Sequence, residues 1–114
     1  MSNDHAKLAA TLLRGWTSGD FESARATLAT DVEFHGPLGK TAGADKYIEG
    51  VRGFANLIDR ADVTMTISEG DNVVLIYDLV TKDGKRLPTA GHYVIRNGKV
   101  ASVRAYFDPT PLKK

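Results

Sequence analysis

The spacing of the apolar residues changes near residue 60, and this change constrains the fold more than any other feature of the chain. Before it, apolar residues recur every three or four positions, as in Leu8, Leu12 and Trp16. After it, apolar and polar residues alternate, as in the stretch from Val63 to Ile67, which is typical of strands. Helices first and strands second predict an α+β domain whose helices cover one face of an antiparallel sheet.

Local signals predict three helices. Asn3 or Asp4 can cap the first helix, and Asp20 can cap a short second helix. The third helix is marked by apolar residues at helical spacing between Tyr47 and Ile58.

Turn residues divide the remainder into strands. A short strand is expected over residues 32–35, followed by a loop over 37–43. Four further strands form a meander with turns at Asp83-Gly84 and Asn97-Gly98, and Asn-Gly is the strongest hairpin signal in the chain. No linker or repeat interrupts this order, so residues 1–114 are expected to form a single domain.

Composition excludes several classes of function. The chain lacks cysteine, and its three histidines are isolated, so we predict no metal site. A formal charge of +1 with scattered lysines and arginines indicates no nucleic-acid partner. The apolar run from Val73 to Tyr77 is far shorter than the roughly 20 residues of a membrane helix. The N-terminal sequence has no secretory pattern, so we expect a cytoplasmic protein.

Residues 33–43, EFHGPLGKTAG, resemble a phosphate-binding loop because they contain Gly-Lys-Thr. Such a loop requires two glycines separated by four residues, whereas Gly36 and Gly39 are separated by two. Pro37 also removes a backbone N–H from the centre of the loop. We therefore predict a turn that leads from a strand end into a helix, not a nucleotide site.

Three segments together are similar to the nuclear transport factor 2-like superfamily, within it to the SnoaL-like and ketosteroid isomerase-like proteins. They are WTSGDFESA at 16–24, DVEFHGPLG at 31–39 and NGKVASVRAYFD at 97–108. The resemblance implies a cone-shaped domain in which three N-terminal helices pack on a strongly curved, mostly antiparallel sheet that encloses an apolar pocket. It also implies a homodimer that forms through the outer sheet face.

A two-residue turn at Asn97-Gly98 would place His92 opposite Val103. One sheet face would then be small and apolar around His92, as a ligand pocket should be, and Tyr93, Ile95, Val100, Arg104 and Tyr106 would form the outer face. The expected pocket wall consists of Trp16, Phe34, Tyr47, Phe54, Val94, Val103 and Phe107. Asp78, which interrupts an apolar strand, is expected to be paired, with Arg104 as a candidate partner.

The resemblance also suggests catalytic residues. SnoaL-like cyclases use a histidine and an aspartate from the last two strands, positions matched here by His92 and Asp108. His35 lies where ketosteroid isomerases carry their aspartate base. Their tyrosine on the first helix has no counterpart near Leu12, so steroid isomerisation by that apparatus is not expected.

Two functions follow as hypotheses. The first is a cofactor-independent isomerase, cyclase or dehydratase acting on a hydrophobic carbonyl compound. In it, His92 would stabilise the enolate and Asp108 or His35 would abstract the proton. The second is a non-catalytic dimer that binds a small hydrophobic molecule or another protein.

Overall fold

The computed structural model describes residues 3–112. The helices are α1 (Asn3–Ser18), α2 (Phe21–Ala26) and α3 (Ala44–Ala55). The strands are β1 (Leu28–Gly36), β2 (Gly39–Ala42), β3 (Ile58–Glu69), β4 (Asn72–Thr81), β5 (Arg86–Arg96) and β6 (Lys99–Phe107). A 3₁₀ turn, Thr110–Leu112, follows β6.

The six strands form one sheet in the order β2-β1-β6-β5-β4-β3. Only the β1–β6 pair is parallel; the other four pairs are antiparallel. The predicted α+β class is confirmed, with three helices on a curved, mostly antiparallel sheet.

Three element boundaries differ from the prediction, the first being that β1 begins at Leu28 and not at residue 32. The segment expected to be a loop contains β2, which pairs with β1 around a turn at Pro37 and Leu38. The third helix ends at Ala55, and Ile58 begins β3 instead of continuing the helical stripe. Ile58 is buried, so its apolar side chain belongs to the core as a residue of β3 and not of the helix.

The first two helices pack closely because their contact residues are small. Leu12, Leu13 and Trp16 of α1 are buried against the sheet. A Cβ on Gly15 would lie 3.0 Å from the backbone nitrogen of Ala24 in α2, so any larger residue would require the two helices to shift apart slightly. The result is a continuous core between the helices and one sheet face.

Helix capping follows the sequence at α2. Asp20 is its N-cap and accepts a hydrogen bond from the backbone N–H of Ser23 at 3.2 Å, as predicted. Asn3 and Asp4, the predicted caps of α1, both lie within that helix, and the position before it is outside the described residues.

The β5–β6 hairpin turns at Asn97-Gly98, as predicted. Both residues have positive φ angles, 53° and 74°, which is the combination that a tight type I′ turn requires. Arg96 and Lys99 therefore face each other across the turn.

A β-bulge directly after this turn changes the register of the hairpin. Ile95 pairs with Val100, but the next pair is Val94 with Ser102, so Ala101 has no partner on β5. One extra residue on one strand moves every later residue of that strand to the opposite face relative to its partner.

This bulge overturns the predicted sheet faces. His92 lies opposite Arg104, not Val103, and both point to the outer face, away from the helices. Tyr93, Ile95 and Val100, which were expected on the outer face, are buried in the core on the inner face. The prediction was wrong because it assumed unbroken pairing from the turn onward.

An ion-pair cluster occupies one corner of the outer face. Arg86 Nη1 lies 3.3 Å from a carboxylate oxygen of Asp78 and 3.3 Å from one of Asp62. Asp78 is thus paired, as expected, but its partner is Arg86 and not Arg104.

None of the helices within residues 3–112 is long and apolar enough to cross a membrane.

Candidate functional site

A cavity of about 360 Å³ lies between α1, α3, the β1–β2 hairpin and the inner face of the sheet. The chain has four phenylalanines, four tyrosines and one tryptophan, and seven of these nine aromatic residues line the cavity. They are Trp16, Phe34, Tyr47, Phe54, Tyr77, Tyr93 and Phe107. Its volume and aromatic walls are typical of a small-molecule site.

Ring contacts fix the shape of the walls. The rings of Trp16 and Phe54 are 5.8 Å apart between centroids, and those of Phe54 and Phe107 are stacked at 6.0 Å. Phe34 and Tyr47 form a tilted pair at 5.4 Å. These distances are within the range of favourable aromatic pairs, so the walls are packed against one another.

Three tyrosines belong to the cavity wall, which also contains the polar residues Lys40, Thr41 and Thr89. Burial raises the pKa of Tyr77 to about 12, and it also raises the pKa values of Tyr47 and Tyr93 well above their ordinary value. A hydrogen bond between the Tyr77 and Tyr93 hydroxyls lowers the pKa of Tyr77 and raises that of Tyr93. All three phenols are therefore neutral hydrogen-bond donors at neutral pH.

The third cavity tyrosine, Tyr47, lies outside this hydrogen-bonded pair. Among the described residues, Tyr47 has no hydrogen-bond partner.

Gly91 on β5 creates the space for the Tyr93 side chain. A Cβ at Gly91 would lie 2.9 Å from the Tyr93 hydroxyl oxygen and 3.0 Å from a ring carbon. Residues 91 and 93 share the inner face, and the ring of Tyr93 lies over the position where a side chain at 91 would be.

Two threonines line the same cavity and differ in their hydrogen bonding. Thr89 Oγ1 donates to the carbonyl oxygen of Leu87 at 2.9 Å. Thr41 Oγ1 is buried and has no partner among the described residues. An unpaired buried hydroxyl is uncommon, so Thr41 is available to a bound molecule.

Most of the predicted pocket wall lies in this cavity. The structure brings together Trp16, Phe34, Tyr47, Phe54, Val103 and Phe107. Val94 does not join them, because it lies on the outer face next to the bulge, opposite Ser102.

The predicted position of His92 in the cavity is wrong. Its Nε2 lies 2.9 Å from Asn72 Oδ1 on the outer face, and it is absent from the cavity wall. A histidine on that side of the sheet cannot contact a molecule among the aromatic rings.

The other two catalytic candidates also lie outside the cavity wall. Asp108 is exposed, and its Oδ1 accepts a hydrogen bond from the backbone N–H of Thr110 at 2.9 Å, which stabilises the turn after β6. His35 follows Phe34 on β1 and points to the opposite face, where it lies beside Arg104 in the parallel pair. It lines a second, smaller cleft.

The sequence prediction missed Thr41, Tyr77, Thr89 and Tyr93 as cavity residues. The sequence of β5 contained a signal for its inner face, which is formed by residues 87, 89, 91, 93 and 95, all of them buried. This face carries the larger apolar side chains Leu87, Tyr93 and Ile95, and large apolar side chains favour the covered face of a sheet.

The fold and cavity define a class of protein. A helix-covered, curved sheet around an aromatic cavity is the arrangement of the nuclear transport factor 2-like superfamily. Within it, a family model described as a SnoaL-like domain matches residues 9–103, and the chain belongs to this family.

Solved structures are similar over almost the whole chain. A nuclear transport factor 2-like protein of unknown function from Cytophaga hutchinsonii ATCC 33406 is 28% identical, with a TM-score of 0.83 over 95% of this chain and 93% of that one. A Kribbella flavida DSM 17836 protein, provisionally called a ketosteroid isomerase, is 20% identical, with a TM-score of 0.82 over 92% and 78%.

A further structure is that of a Jannaschia sp. CCS1 protein provisionally called a SnoaL-like polyketide cyclase. It is 18% identical, with a TM-score of 0.82 over 96% of this chain and 88% of that one. At such identities, the Kribbella and Jannaschia structures show the shared fold alone. No curated protein sequence matches the chain.

Proposed function

We propose that this domain binds a small hydrophobic molecule that carries a carbonyl or hydroxyl oxygen. The observation that supports the proposal is an aromatic cavity of about 360 Å³ with three neutral tyrosine hydroxyls in its wall. The aromatic walls would bury the apolar part of the molecule, and the hydroxyls would fix the orientation of its oxygen.

A carbonyl oxygen suits the donors that the cavity presents. The Tyr47 hydroxyl lies outside the Tyr77–Tyr93 pair and can donate to a ligand oxygen. Thr41 adds a hydroxyl that can donate or accept. A ligand oxygen would give a partner to the buried Thr41 hydroxyl, which has none among the described residues, so a ligand without an oxygen should bind more weakly.

Binding is favoured over acid–base catalysis by the composition of the cavity wall. Among the described residues that line it there is no aspartate, glutamate or histidine, and its amine is that of Lys40, an exposed residue of β2. Proton abstraction beside a carbonyl requires a base within hydrogen-bond reach of the substrate. His92 and Asp108 cannot act together on one molecule in this cavity, because His92 is on the far side of the sheet.

The role of the oxygen is tested by comparing benzylacetone with butylbenzene, which has a similar shape but lacks the carbonyl group. Calorimetric titration should show that the ketone binds more tightly, on the order of 10-fold, because one to two hydrogen bonds are gained. The Tyr47→Phe and Tyr77→Phe variants should reduce this preference and leave butylbenzene binding unchanged. Equal binding of both compounds by the native protein would refute the proposed role of the tyrosines.

We also propose that two copies of the chain associate through an outer apolar patch made of Met65, Ile67, Val74 and Ile76. These residues pair across β3 and β4, Met65 with Ile76 and Ile67 with Val74. Met65 is 55% exposed and Ile67 is 49% exposed, and exposed neighbouring apolar side chains are typical of interaction surfaces.

This proposal is tested by analytical ultracentrifugation at micromolar concentration. The native chain should sediment as a dimer, and the Ile67→Lys variant should be monomeric. Leu57→Lys is the matched control, because Leu57 is 51% exposed but lies in the turn between α3 and β3, away from the patch. A monomeric native chain would contradict the proposal.

A further inference from the structure

A second cleft, of about 340 Å³, lies at the point where β1 leaves β6. The parallel pairing of these strands ends with His35 beside Arg104, so residues 105–107 of β6 extend beyond their neighbour. The cleft is lined by His35, Gly36, Pro37, Arg104, Ala105, Tyr106 and Phe107. Its polar side chains are an arginine, a histidine and a tyrosine, all three of which can donate hydrogen bonds.

Arg104, like Arg14, Arg52 and Arg96, forms no ion pair with another described residue, whereas three arginines do. Arg25, Arg60 and Arg86 each lie against an aspartate. Arg104 has no carboxylate partner within residues 3–112, although it is exposed at the edge of the cleft. A guanidinium group can bind a carboxylate through two parallel hydrogen bonds, and here that capacity is unused.

The neighbours of Arg104 are also basic. The outer-face row that contains it runs from Lys40 on β2 through His35 and Arg104 to His92 on β5. Glu33 lies on the same face one row away, opposite Ser102. The positive charges of Lys40 and Arg104 attract an anion, and a histidine beside them can donate a hydrogen bond to it.

The cleft and the aromatic cavity adjoin. Gly36, Pro37, Ala105 and Phe107 contribute to the walls of both. The ring of Phe34 lies over Gly36, since an added Cβ at Gly36 would be 2.8 Å from Phe34 Cζ, whereas Ala105 adds only one methyl group to the shared wall. A molecule that occupies both spaces would pass beside the Phe34 ring, between the end of β1 and the free edge of β6.

We propose that the cleft binds a carboxylate, and that this carboxylate belongs to the molecule whose apolar part occupies the aromatic cavity. This inference rests on the proposed function and narrows it to hydrophobic carboxylic acids. Arg104 forms the ion pair, and His35 and Tyr106 donate further hydrogen bonds. A free anion such as acetate shares the chemistry of the head group but lacks the apolar part.

The test compares hydrocinnamate with its neutral amide, hydrocinnamamide, by calorimetric titration. The native protein should bind the acid more tightly than the amide, by on the order of 10-fold or more, because the pair with Arg104 is charge-assisted. Arg104→Gln should abolish this preference without changing the affinity for the amide. Arg96→Gln is the matched control, because Arg96 is an exposed outer-face arginine of β5 that lines neither space.

Each outcome separates this inference from the proposed function. If the acid and the amide bind equally, and Arg104→Gln has no effect, the cleft does not bind the carboxylate, but the cavity still binds apolar molecules. If Arg96→Gln reduced the preference for the acid over the amide as much as Arg104→Gln does, net charge and not the cleft would determine this preference. That result would overturn the inference. If acetate alone binds as tightly as hydrocinnamate, the two spaces do not hold one molecule. If neither aromatic compound binds, the proposed function itself fails.

Discussion

Replacing Gly91 by alanine should destabilise the protein through the tyrosine cluster. The added Cβ would lie 2.9 Å from the Tyr93 hydroxyl oxygen, 3.0 Å from Cε1 and 3.1 Å from Cζ. Non-bonded carbon atoms prefer about 3.5–4.0 Å, so the ring must move by several tenths of an ångström. Tyr93 is 2% exposed and has little room to move, and any movement disturbs its hydrogen bond to Tyr77.

The size of the effect follows from two opposing terms. Overpacking a core costs roughly 1–3 kcal/mol. Removing a glycine from a strand interior returns about 0.5–1 kcal/mol. The net loss in the free energy of unfolding is therefore about 1–2 kcal/mol, which corresponds to a fall in Tm of roughly 4 °C or more. Thermal unfolding followed by circular dichroism measures this change.

The matched control is Gly53→Ala in α3. A Cβ at Gly53 meets nothing within 4 Å, and alanine is the better helix former, so this variant should be stabilised by up to about 1 kcal/mol. The two substitutions are chemically identical and are expected to have opposite signs. If Gly91→Ala is as stable as the native protein, the proposed packing of Tyr93 over Gly91 is incorrect.

Three further predictions concern stability. An unfolded tyrosine ionises near pH 10, whereas burial raises the pKa of Tyr77 in the folded protein to about 12. The contribution of neutral Tyr77 to the free energy of unfolding is therefore complete below pH 10 and is lost as the pH rises towards 12. Urea titrations at increasing alkaline pH should show that the free energy of unfolding falls by on the order of 3 kcal/mol because of Tyr77 by the time the pH reaches about 12. Gly98→Ala places a side chain at φ 74° and should cost about 1–2 kcal/mol, measured by the same titration. Hydrogen bonds from Ser23 lower the pKa of Asp20, so its contribution is present at neutral pH and is lost as the pH falls through that lowered pKa. The difference in Tm between the native chain and Asp20→Ala should therefore shrink in acid.

The sequence predicted the parts of the fold that depend on local signals. The cap at Asp20 and the turn at Asn97-Gly98 lie where their residue types favour them. The order of helices and strands follows from the change in apolar spacing near residue 60. Six of the seven predicted wall residues line the cavity because they occupy apolar stripes or strand faces that a core must cover.

The register of β6 could not be predicted in the same way. Ala101 and Ser102 lie between two buried valines, Val100 and Val103, and the bulge is visible only as this spacing of three in a strand. An unbroken strand would bring one of the two valines out of the core. The bulge also determines which residues of β5 share a face with which residues of β6. Because the prediction missed this one extra residue, it placed His92 and Tyr93 on the wrong sides of the sheet.

The most direct test of the central claim uses the single tryptophan. Trp16 lines the cavity, so a heteronuclear NMR spectrum contains one indole N–H signal that reports on its occupancy. Titration with benzylacetone should shift this signal to saturation in the native protein and in Gly53→Phe. The signal should not shift in Gly50→Phe, because Gly50 lines the cavity and its new side chain would occupy the binding space. Gly50 and Gly53 lie on the same helix, and the Cβ positions of both are unobstructed. An indole signal that does not move in the native protein, or that shifts equally in both variants, would contradict the assignment of this cavity as the binding site.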